Sequence, residues 1–195
     1  MAAPPVTLRQ QKKRETFLRI QDQAFRLAET AGFTAITVED IAAAARVSAS
    51  TVYRYFGTKE GIFLWDEFEL PATELLTVEL ERQAPLDAVL AALTSLGGMG
   101  FHIPDDEMRQ RVRFVYAEPA LRAAMGETFQ VFEGKLTDLF VEAGSTDPLA
   151  ARILAGMTMT LVAAAVEFWT FADPQMSFSA AVEHTTTSLD EVLGR

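Results

Sequence analysis

Residues 37–59, TVEDIAAAARVSASTVYRYFGTK, decide the fold of this chain. The pattern predicts two short helices joined by a tight turn and followed at once by the start of a third helix. Thr37, Ser48 and Thr58 each carry a hydroxyl that can cap the start of one of these helices. Small and branched apolar residues supply the core between the helices: Ile41, Ala42, Ala45, Val47 and Val52.

The second helix of this stretch offers a surface without a carboxylate. From Ser48 onward its side chains are small, hydroxyl-bearing or aromatic, and Arg54 adds one base. A helix without negative charge can enter the major groove of DNA, where it meets phosphates and base edges. The alternative interpretation is a helical hairpin that only packs within its own chain.

The same residues resemble the helix-turn-helix of the TetR family of bacterial transcriptional regulators. The resemblance runs through TVEDIAAAA, VSASTVYRYF and TKEGIF, and its most specific part is Tyr-x-Tyr-Phe followed by Lys-Glu. It implies that Tyr53 and Lys59 contact backbone phosphates, and that the small residues of the second helix and Tyr55 face the groove. The expected DNA-binding residues are Thr37, Arg46, Ser48, Ala49, Ser50, Thr51, Tyr53, Tyr55 and Lys59.

Arg46 departs from the pattern of the resembling family, whose turn usually carries glycine at this position. We expect a left-handed backbone conformation there, at a cost of ~1 kcal/mol for a residue with a side chain. The guanidinium of Arg46 then becomes a further candidate for a phosphate contact.

Charge divides the chain into a basic head and an acidic body. The formal net charge of the 195 residues is −10, but residues 1–59 hold nine Lys or Arg and five Asp or Glu, a charge of +4. Residues 60–195 therefore carry −14. This asymmetry favours an approach to DNA through the head. The absence of cysteine excludes disulfides and fits a reducing cytoplasm, the location we predict.

The start of the chain contains a second group of positive charges. Residues 1–7 are rich in proline and alanine and are predicted to be disordered, and the cluster Arg9, Lys12, Lys13 and Arg14 precedes a helix predicted over residues 15–31. Two interpretations stay open: a solvated tail, or an arm that lies along phosphates or in the minor groove.

Helical periodicity predicts an all-α chain of about nine helices. Proline residues and capping residues mark the later helix starts, and a break or restart is expected near Pro71. We predict a helix-turn-helix DNA-binding domain over residues 9–60 and a ligand-binding and dimerisation body over residues 61–195. The uncharged run of residues 153–166 has 14 residues, which predicts a buried core helix and not a membrane span.

The last two predicted helices, residues 149–171 and 177–192, carry more apolar surface than a single bundle needs. Apolar side chains cover most of the first of them, including Ile153, Met157 and Phe168. Burial within one chain is one interpretation. We favour a homodimer through a four-helix bundle, which the resemblance also implies and which would present two heads to a palindromic operator.

Aromatic residues in the body predict an effector pocket, although core packing explains many such residues. The resemblance implies a repressor released by a small apolar ligand, and the segment RVRFVYAEPALRAAM resembles regulators of acyl or acyl-CoA ligands, including the mycofactocin-associated group. Arg109, Arg111 and Arg113 alternate in sequence, which argues against one joint clamp. One or two of them could meet an anionic head group, while surface ion pairs are the favoured interpretation. The expected ligand-binding residues are Phe101, Arg113, Phe114, Phe129, Phe132, Phe168 and Trp169.

An enzyme or a helical small-molecule-binding protein without DNA binding is the alternative class. The chain has only His102 and His184 as histidines, and it contains none of the common nucleophile, phosphate-loop or zinc motifs. We therefore expect no enzymatic activity, no metal and no cofactor, and a double-stranded DNA operator as the main partner.

Overall fold

The computed structural model describes residues 8–64, 68–144, 147–173 and 175–194. In these ranges the chain forms ten α-helices and no strand. The chain divides into two compact units, which are taken separately below: Met1–Trp65 with Glu118–Ala124, and Asp66–Ala117 with Met125–Arg195. The all-α prediction is confirmed, with one helix more than expected in the ranges described.

The first unit, which we call the head, contains four helices: α1 (Leu8–Ala31), α2 (Val38–Ala44), α3 (Ala49–Phe56) and α4 (Lys59–Leu64). A single 3-10 turn, Phe33–Ala35, joins the first two. Ile20, Ile41 and Ile62 are fully buried in its core, and Gln21 donates from Nε2 to the carbonyl oxygen of Ile62 at 3.1 Å. Phe63 meets both Phe25 and Phe33 edge to face.

Helix α1 begins earlier than the sequence predicted. It starts at Leu8 and not near residue 15, so Lys12, Lys13 and Arg14 lie on a helix and not in an arm that precedes it. Charged residues are compatible with an exposed first turn, which periodicity of apolar residues does not detect. The predicted disorder of residues 1–7 lies outside the part of the chain that the structure describes.

The second unit, the body, contains α5 (Glu69–Leu80), α6 (Pro85–Gly97), α7 (Asp105–Ala117), most of α8 (Pro119–Glu142), α9 (Pro148–Glu167) and α10 (Phe178–Leu193). Its core contains Leu76, Val89, Phe140 and Ala155. Helix α5 begins two residues before Pro71, which agrees with the restart predicted there. Asp147 and Ser177 cap α9 and α10 as expected.

Two local features of the body shape its packing. Gly97 lies against α10, since a Cβ at this position would come within 3.1–3.4 Å of Val182. The predicted helix over residues 149–171 is α-helical only to Glu167 and continues as a π-helical turn, Phe168–Ala172. A π turn widens the helix and leaves carbonyl groups for partners from outside it.

Candidate DNA-binding surface and effector region

The start of α2 is fixed by a reciprocal capping box, as the sequence indicated. Thr37 Oγ1 accepts from the backbone N–H of Asp40 at 3.1 Å, and the Asp40 carboxylate accepts from the Thr37 backbone N–H at 2.9 Å. The Thr37 hydroxyl also donates to Asp40 Oδ2 at 2.6 Å. These hydrogen bonds lower the pKa of Asp40 from its usual 3.8. Thr37 therefore defines the helix start, and its hydroxyl is already engaged.

The turn between α2 and α3 has the left-handed residue predicted for it. Arg46 has φ 55°, and it is the only residue other than glycine with a positive φ in the described ranges. The turn closes by backbone hydrogen bonds from Arg46 to Ala43 and from Val47 to Ala42, at 3.1 and 3.0 Å. Arg19 also donates from Nε to the carbonyl oxygen of Ala45 at 3.0 Å. The side chain of Arg46 is exposed.

Helix α3 exposes a hydroxyl-rich first turn and a tyrosine. Ser48 caps the helix by accepting from the Thr51 backbone N–H at 3.1 Å, and its Oγ lies 2.9 Å from Ser50 Oγ and 2.8 Å from Thr51 Oγ1. Ser50 is exposed, Ala49 and Thr51 are partly exposed, and Tyr53 is 48% exposed. Val52 is buried on the opposite side. These small groups form a surface that base edges could approach.

Tyr55, which the sequence analysis expected to face the groove, is partly exposed and packs against α1. Its ring stacks on Phe17 of α1, with the centroids 4.7 Å apart and an angle of 15° between the planes. A residue two positions after Tyr53 points to a different side of an α-helix, here toward α1. The Tyr55 ring therefore belongs to the packing of the head.

Lys59, which the sequence analysis expected to contact a phosphate, has partners within the head. Its Nζ donates to the carbonyl oxygens of Phe33 and Ile36 at 2.9 and 3.0 Å, and it lies 4.2 Å from the centroid of the Phe33 ring. These contacts commit the ammonium group to the segment that leads into α2. The sequence motif identifies this lysine but does not reveal the carbonyl groups that fold back onto it.

In the body, two arginines of α7 hold the π-helical turn. Arg109 is buried and donates to the carbonyl oxygens of Trp169, Asp173 and Met176 at 2.8–2.9 Å. Arg113 donates from Nε and Nη2 to the carbonyl oxygen of Thr170, at 3.2 and 2.9 Å. The sequence analysis favoured surface ion pairs for the arginines of this helix. For Arg109 and Arg113 this was wrong, because both donate to backbone carbonyl oxygens. Arg109 and Arg113 are four residues apart, so they lie on the same face of the helix.

Arg111 has a different environment from its two neighbours in the alternating series. It is buried and forms an ion pair with Glu107, one turn earlier in α7, with Nη2 and Oε1 2.8 Å apart. The guanidinium of Arg113, which the sequence analysis assigned to a ligand, donates hydrogen bonds to the carbonyl oxygen of Thr170. None of the three arginines is presented as a ready anion clamp.

An aromatic cluster in the body includes two of the predicted ligand residues. Phe101 lies 5.5 Å from Trp169, and Phe178 lies 4.9 and 5.3 Å from these two rings. Arg109 covers Trp169, with Cζ 4.8 Å from the ring centroid. The sequence analysis omitted Phe178 and Arg109. The short spacing between Phe178 and the π turn was an available signal, but only the fold brings α7 to the same place.

Two of the remaining predicted ligand residues have partners elsewhere in the body. Phe168 contacts His184 at 5.0 Å, and Phe132 lies beneath Lys135 Nζ at 5.0 Å. Phe114 and Phe129 are partly buried. A shallow depression of about 270 Å³ elsewhere in the body contains none of the predicted ligand residues; it is lined by Thr77, Leu80, Glu81, Leu139, Glu142 and Ala143. Its two carboxylates disfavour an anionic ligand.

Helix α9 is less buried than the sequence analysis expected. The segment Pro148–Ala172 could cross a membrane by length and composition alone, since it contains an 18-residue window with a mean hydropathy of 1.8. Within the chain, 22% of that window is buried. Ala151, Ala155, Leu161 and Ala165 face the core. Leu149, Ile153 and Phe171 are 70%, 56% and 53% exposed. This helix therefore has an apolar face that its own chain leaves uncovered.

The head has the features of a DNA-binding helix-turn-helix protein. Helix α2 is capped, a tight turn follows it, and α3 is exposed and has no acidic group in its first turn. The family model "Bacterial regulatory proteins, tetR family" matches residues 20–64, and the model "MftR C-terminal domain" matches residues 83–194, more than half of the chain. The chain belongs to the tetR family of bacterial transcriptional regulators.

Individual relatives agree with this assignment. The putative mycofactocin biosynthesis transcriptional regulator MftR of Mycobacterium tuberculosis is 26% identical over 172 residues, covering 84% of this chain and 83% of that protein. NalD of Pseudomonas aeruginosa, the secondary repressor of the MexAB-OprM multidrug efflux pump, has 22% identity and a TM-score of 0.52, covering 91% and 96% of the two chains. SmeT in complex with triclosan has 17% identity and a TM-score of 0.53, covering 89% and 91%. The two solved structures share the fold.

Proposed function

We propose that this regulator is a homodimeric repressor that binds a palindromic operator and is released by an apolar effector. Residues 9–60 bind DNA, and residues 61–195 bind the effector and form the dimer. The observation that carries the DNA-binding part is the exposed, carboxylate-free surface of α3, with Ser50 and Tyr53 at its centre.

The contacts with DNA follow from the chemistry of this surface. Ser50 and Thr51 carry hydroxyls that can donate to or accept from base edges, while Ala49 allows a close approach to a thymine methyl group. The Tyr53 hydroxyl and the exposed guanidinium of Arg46 are suited to backbone phosphates. We retain Thr37 and Ser48 as the caps that hold the two helices in place, and we remove the Tyr55 ring and the Lys59 ammonium from the contact set.

Dimerisation would cover the exposed face of α9. Leu149 and Ile153 are four residues apart and lie on one face of the helix, and an apolar face of this length is unfavourable in water. Arg152 of α9 forms an ion pair with Glu133, so the helix is not free of charge. A second copy of the same helix is therefore a better partner than lipid, and we place the protein in the cytoplasm.

The effector region is proposed at the aromatic cluster around Trp169. Trp169 Nε1 and Thr170 Oγ1 are buried and have no hydrogen-bond partner in the described part of the chain. A buried donor without a partner costs roughly 1–3 kcal/mol, and a ligand acceptor would remove this cost. An apolar molecule with a carbonyl or carboxylate end would pack against the aromatic rings and accept hydrogen bonds from the two buried groups. We therefore favour an acyl or acyl-CoA-like effector. The MftR C-terminal domain suggests a role linked to mycofactocin.

Release requires the effector to prefer the state of the dimer that does not bind DNA. Because the two binding equilibria are linked, the effector lowers the affinity for the operator by the same factor by which the operator lowers the affinity for the effector. A small-molecule-binding protein without DNA binding is the alternative. The intact surface of α3 favours the regulator.

The test has two parts on the full-length protein. Footprinting on the DNA beside its own gene should reveal a palindromic site, and sedimentation should give a dimer for the wild type. Ile153→Glu should give a monomer that remains helical, whereas Arg26→Glu, an exposed charge change in the head, should leave the dimer intact. Wild-type protein that gives no footprint, or that sediments as a monomer at micromolar concentration, would contradict the proposal.

A further inference from the structure

Two cations from different helices meet at the ring of Tyr55. Lys13 Nζ of α1 lies 5.9 Å from the centroid of this ring, and Arg54 Cζ of α3 lies 4.9 Å from it. Lys13 Nζ is also 5.4 Å from the centroid of Phe17, on which Tyr55 stacks. Both cationic side chains are exposed. The two stacked rings thus form a platform that holds both positive groups at the surface of the head.

No acidic group of the described residues pairs with either cation. The ion pairs that the structure contains in these ranges involve other residues, and α3 has no carboxylate in its first turn. Two like charges near one ring repel each other, and the attraction of each to the ring offsets this repulsion. An anion that contacts both side chains would add an attraction to each of them.

We propose that Lys13 and Arg54 bind one phosphate of the DNA backbone between them, with Tyr55 as the positioning residue. This inference rests on the proposed DNA-binding function and adds a contact that spans α1 and α3. Arg54 follows Tyr53 directly and lies in the last turn of α3. The site is therefore at the opposite end of this helix from the hydroxyl groups of its first turn, where base reading is proposed.

The chemistry of the pair suits a phosphodiester better than a base. The guanidinium of Arg54 can donate two parallel hydrogen bonds to phosphate oxygens, and the ammonium of Lys13 adds a point charge. The ring restricts the freedom of both side chains before DNA arrives, which lowers the entropy lost on binding. A phosphate contact carries no sequence information, so its role is to fix the register of α3 on the duplex.

The salt dependence of DNA binding tests the site. Lys13→Gln combined with Arg54→Gln should reduce the slope of log K against log salt by about 0.9 per bound subunit, the value for one phosphate. Arg26→Gln removes an exposed charge from the same helix α1 and serves as the control, with an unchanged slope. If the double variant matched this control, the shared site would be refuted. A reduction of about 1.8 per subunit, the value for two phosphates, would also refute it.

Neutral methylphosphonate linkages locate the phosphate. In each half-site, replacing one particular phosphate with a neutral linkage should weaken the binding of the wild-type protein. The same replacement should not change the affinity of the double variant, which has already lost this contact. Tyr55→Leu should reduce the salt slope in protein that remains folded, and Tyr55→Phe, which keeps the ring, should restore it. Two separate sensitive positions, one for each cation, would contradict the inference.

Failure of the wider proposal gives a different pattern. If wild-type protein binds no duplex at any salt concentration, the proposed function and this site both fail. If the wild type binds with a steep salt dependence and the double variant behaves like Arg26→Gln, only the phosphate site is refuted.

Discussion

Lys59 Nζ donates a hydrogen bond to the carbonyl oxygen of Phe33 at 2.9 Å and lies 4.2 Å from the centroid of the ring of the same residue. One ammonium group thus fixes both the backbone and the side chain of the segment that precedes α2. The position of the helix-turn-helix within the head depends on this contact, which is internal to the protein.

Lys59→Met should therefore act mainly on stability. The variant keeps the apolar stem but loses the charged hydrogen bonds to Phe33 and Ile36, and we expect a loss of roughly 2 kcal/mol in the free energy of unfolding of the head. Thermal unfolding followed by circular dichroism measures the change, with Arg26→Met as an exposed control. The contradicting result is a variant that unfolds like the wild type but whose DNA affinity depends less steeply on salt concentration. That result would identify Lys59 as a phosphate contact.

Tyr53→Phe should weaken DNA binding without affecting the fold. Tyr53 is 48% exposed, and its hydroxyl is the group proposed to reach a phosphate. Loss of one such hydrogen bond should reduce affinity by about 1 kcal/mol for matching and scrambled duplexes alike. Fluorescence anisotropy with both duplexes measures this. A loss confined to the matching duplex would identify Tyr53 as a base-reading residue instead.

Arg46→Gly should stabilise the head and report on the phosphate contact in the same experiment. Because φ is 55° at this residue, glycine removes a conformational cost of roughly 1 kcal/mol. The denaturation midpoint in urea should rise. A salt slope equal to that of the wild type would show that the guanidinium of Arg46 does not touch DNA.

Arg109→Met should destabilise the body more than Arg113→Met does. Arg109 is buried and serves the carbonyl oxygens of Trp169, Asp173 and Met176, whereas Arg113 serves one carbonyl oxygen from a more exposed position. We expect a loss of about 3 kcal/mol for Arg109→Met and about 1 kcal/mol for Arg113→Met. Denaturant unfolding of the two variants compares them directly. Equal losses would mean that the body depends on Arg113 as much as on Arg109, which contradicts this prediction.

The Thr37–Asp40 pair predicts a dependence on pH. Hydrogen bonds from Thr37 hold the pKa of the Asp40 carboxyl below 3.8, so the pair contributes stability above that pH and loses it as the pH falls through the lowered pKa. In Thr37→Val the pKa of Asp40 should return toward its usual value, as measured by an NMR titration of the carboxyl carbon. An unchanged pKa in the variant would show that the capping box is not its cause.

The head was largely predictable from sequence because its signals are local. Hydroxyl caps at Thr37 and Ser48 and the buried Val52 follow from spacing within a few residues, and the left-handed Arg46 follows from the resemblance of the turn. Local signals did not indicate the packing partners of Tyr55 and Lys59. Their partners, Phe17 and Phe33, are 38 and 26 positions away in the chain, and only the packed head brings them together.

The body was predictable in helix content but not in its internal contacts. Periodicity located the helices, and Asp147 and Ser177 were identified as caps. The π turn and its attachment to Arg109 depend on a contact 60 positions apart, which has no local signal. The exposed face of α9 likewise required knowledge of which side its own chain covers.

The most direct test of the account is a binding titration of wild-type protein against two duplexes of the same composition at one salt concentration. One duplex carries the footprinted palindrome, and the other carries the same bases scrambled. A dimer that reads sequence through α3 should bind the palindrome at least about a thousandfold more tightly, with two chains per duplex. Equal affinities for the two duplexes would contradict the central claim.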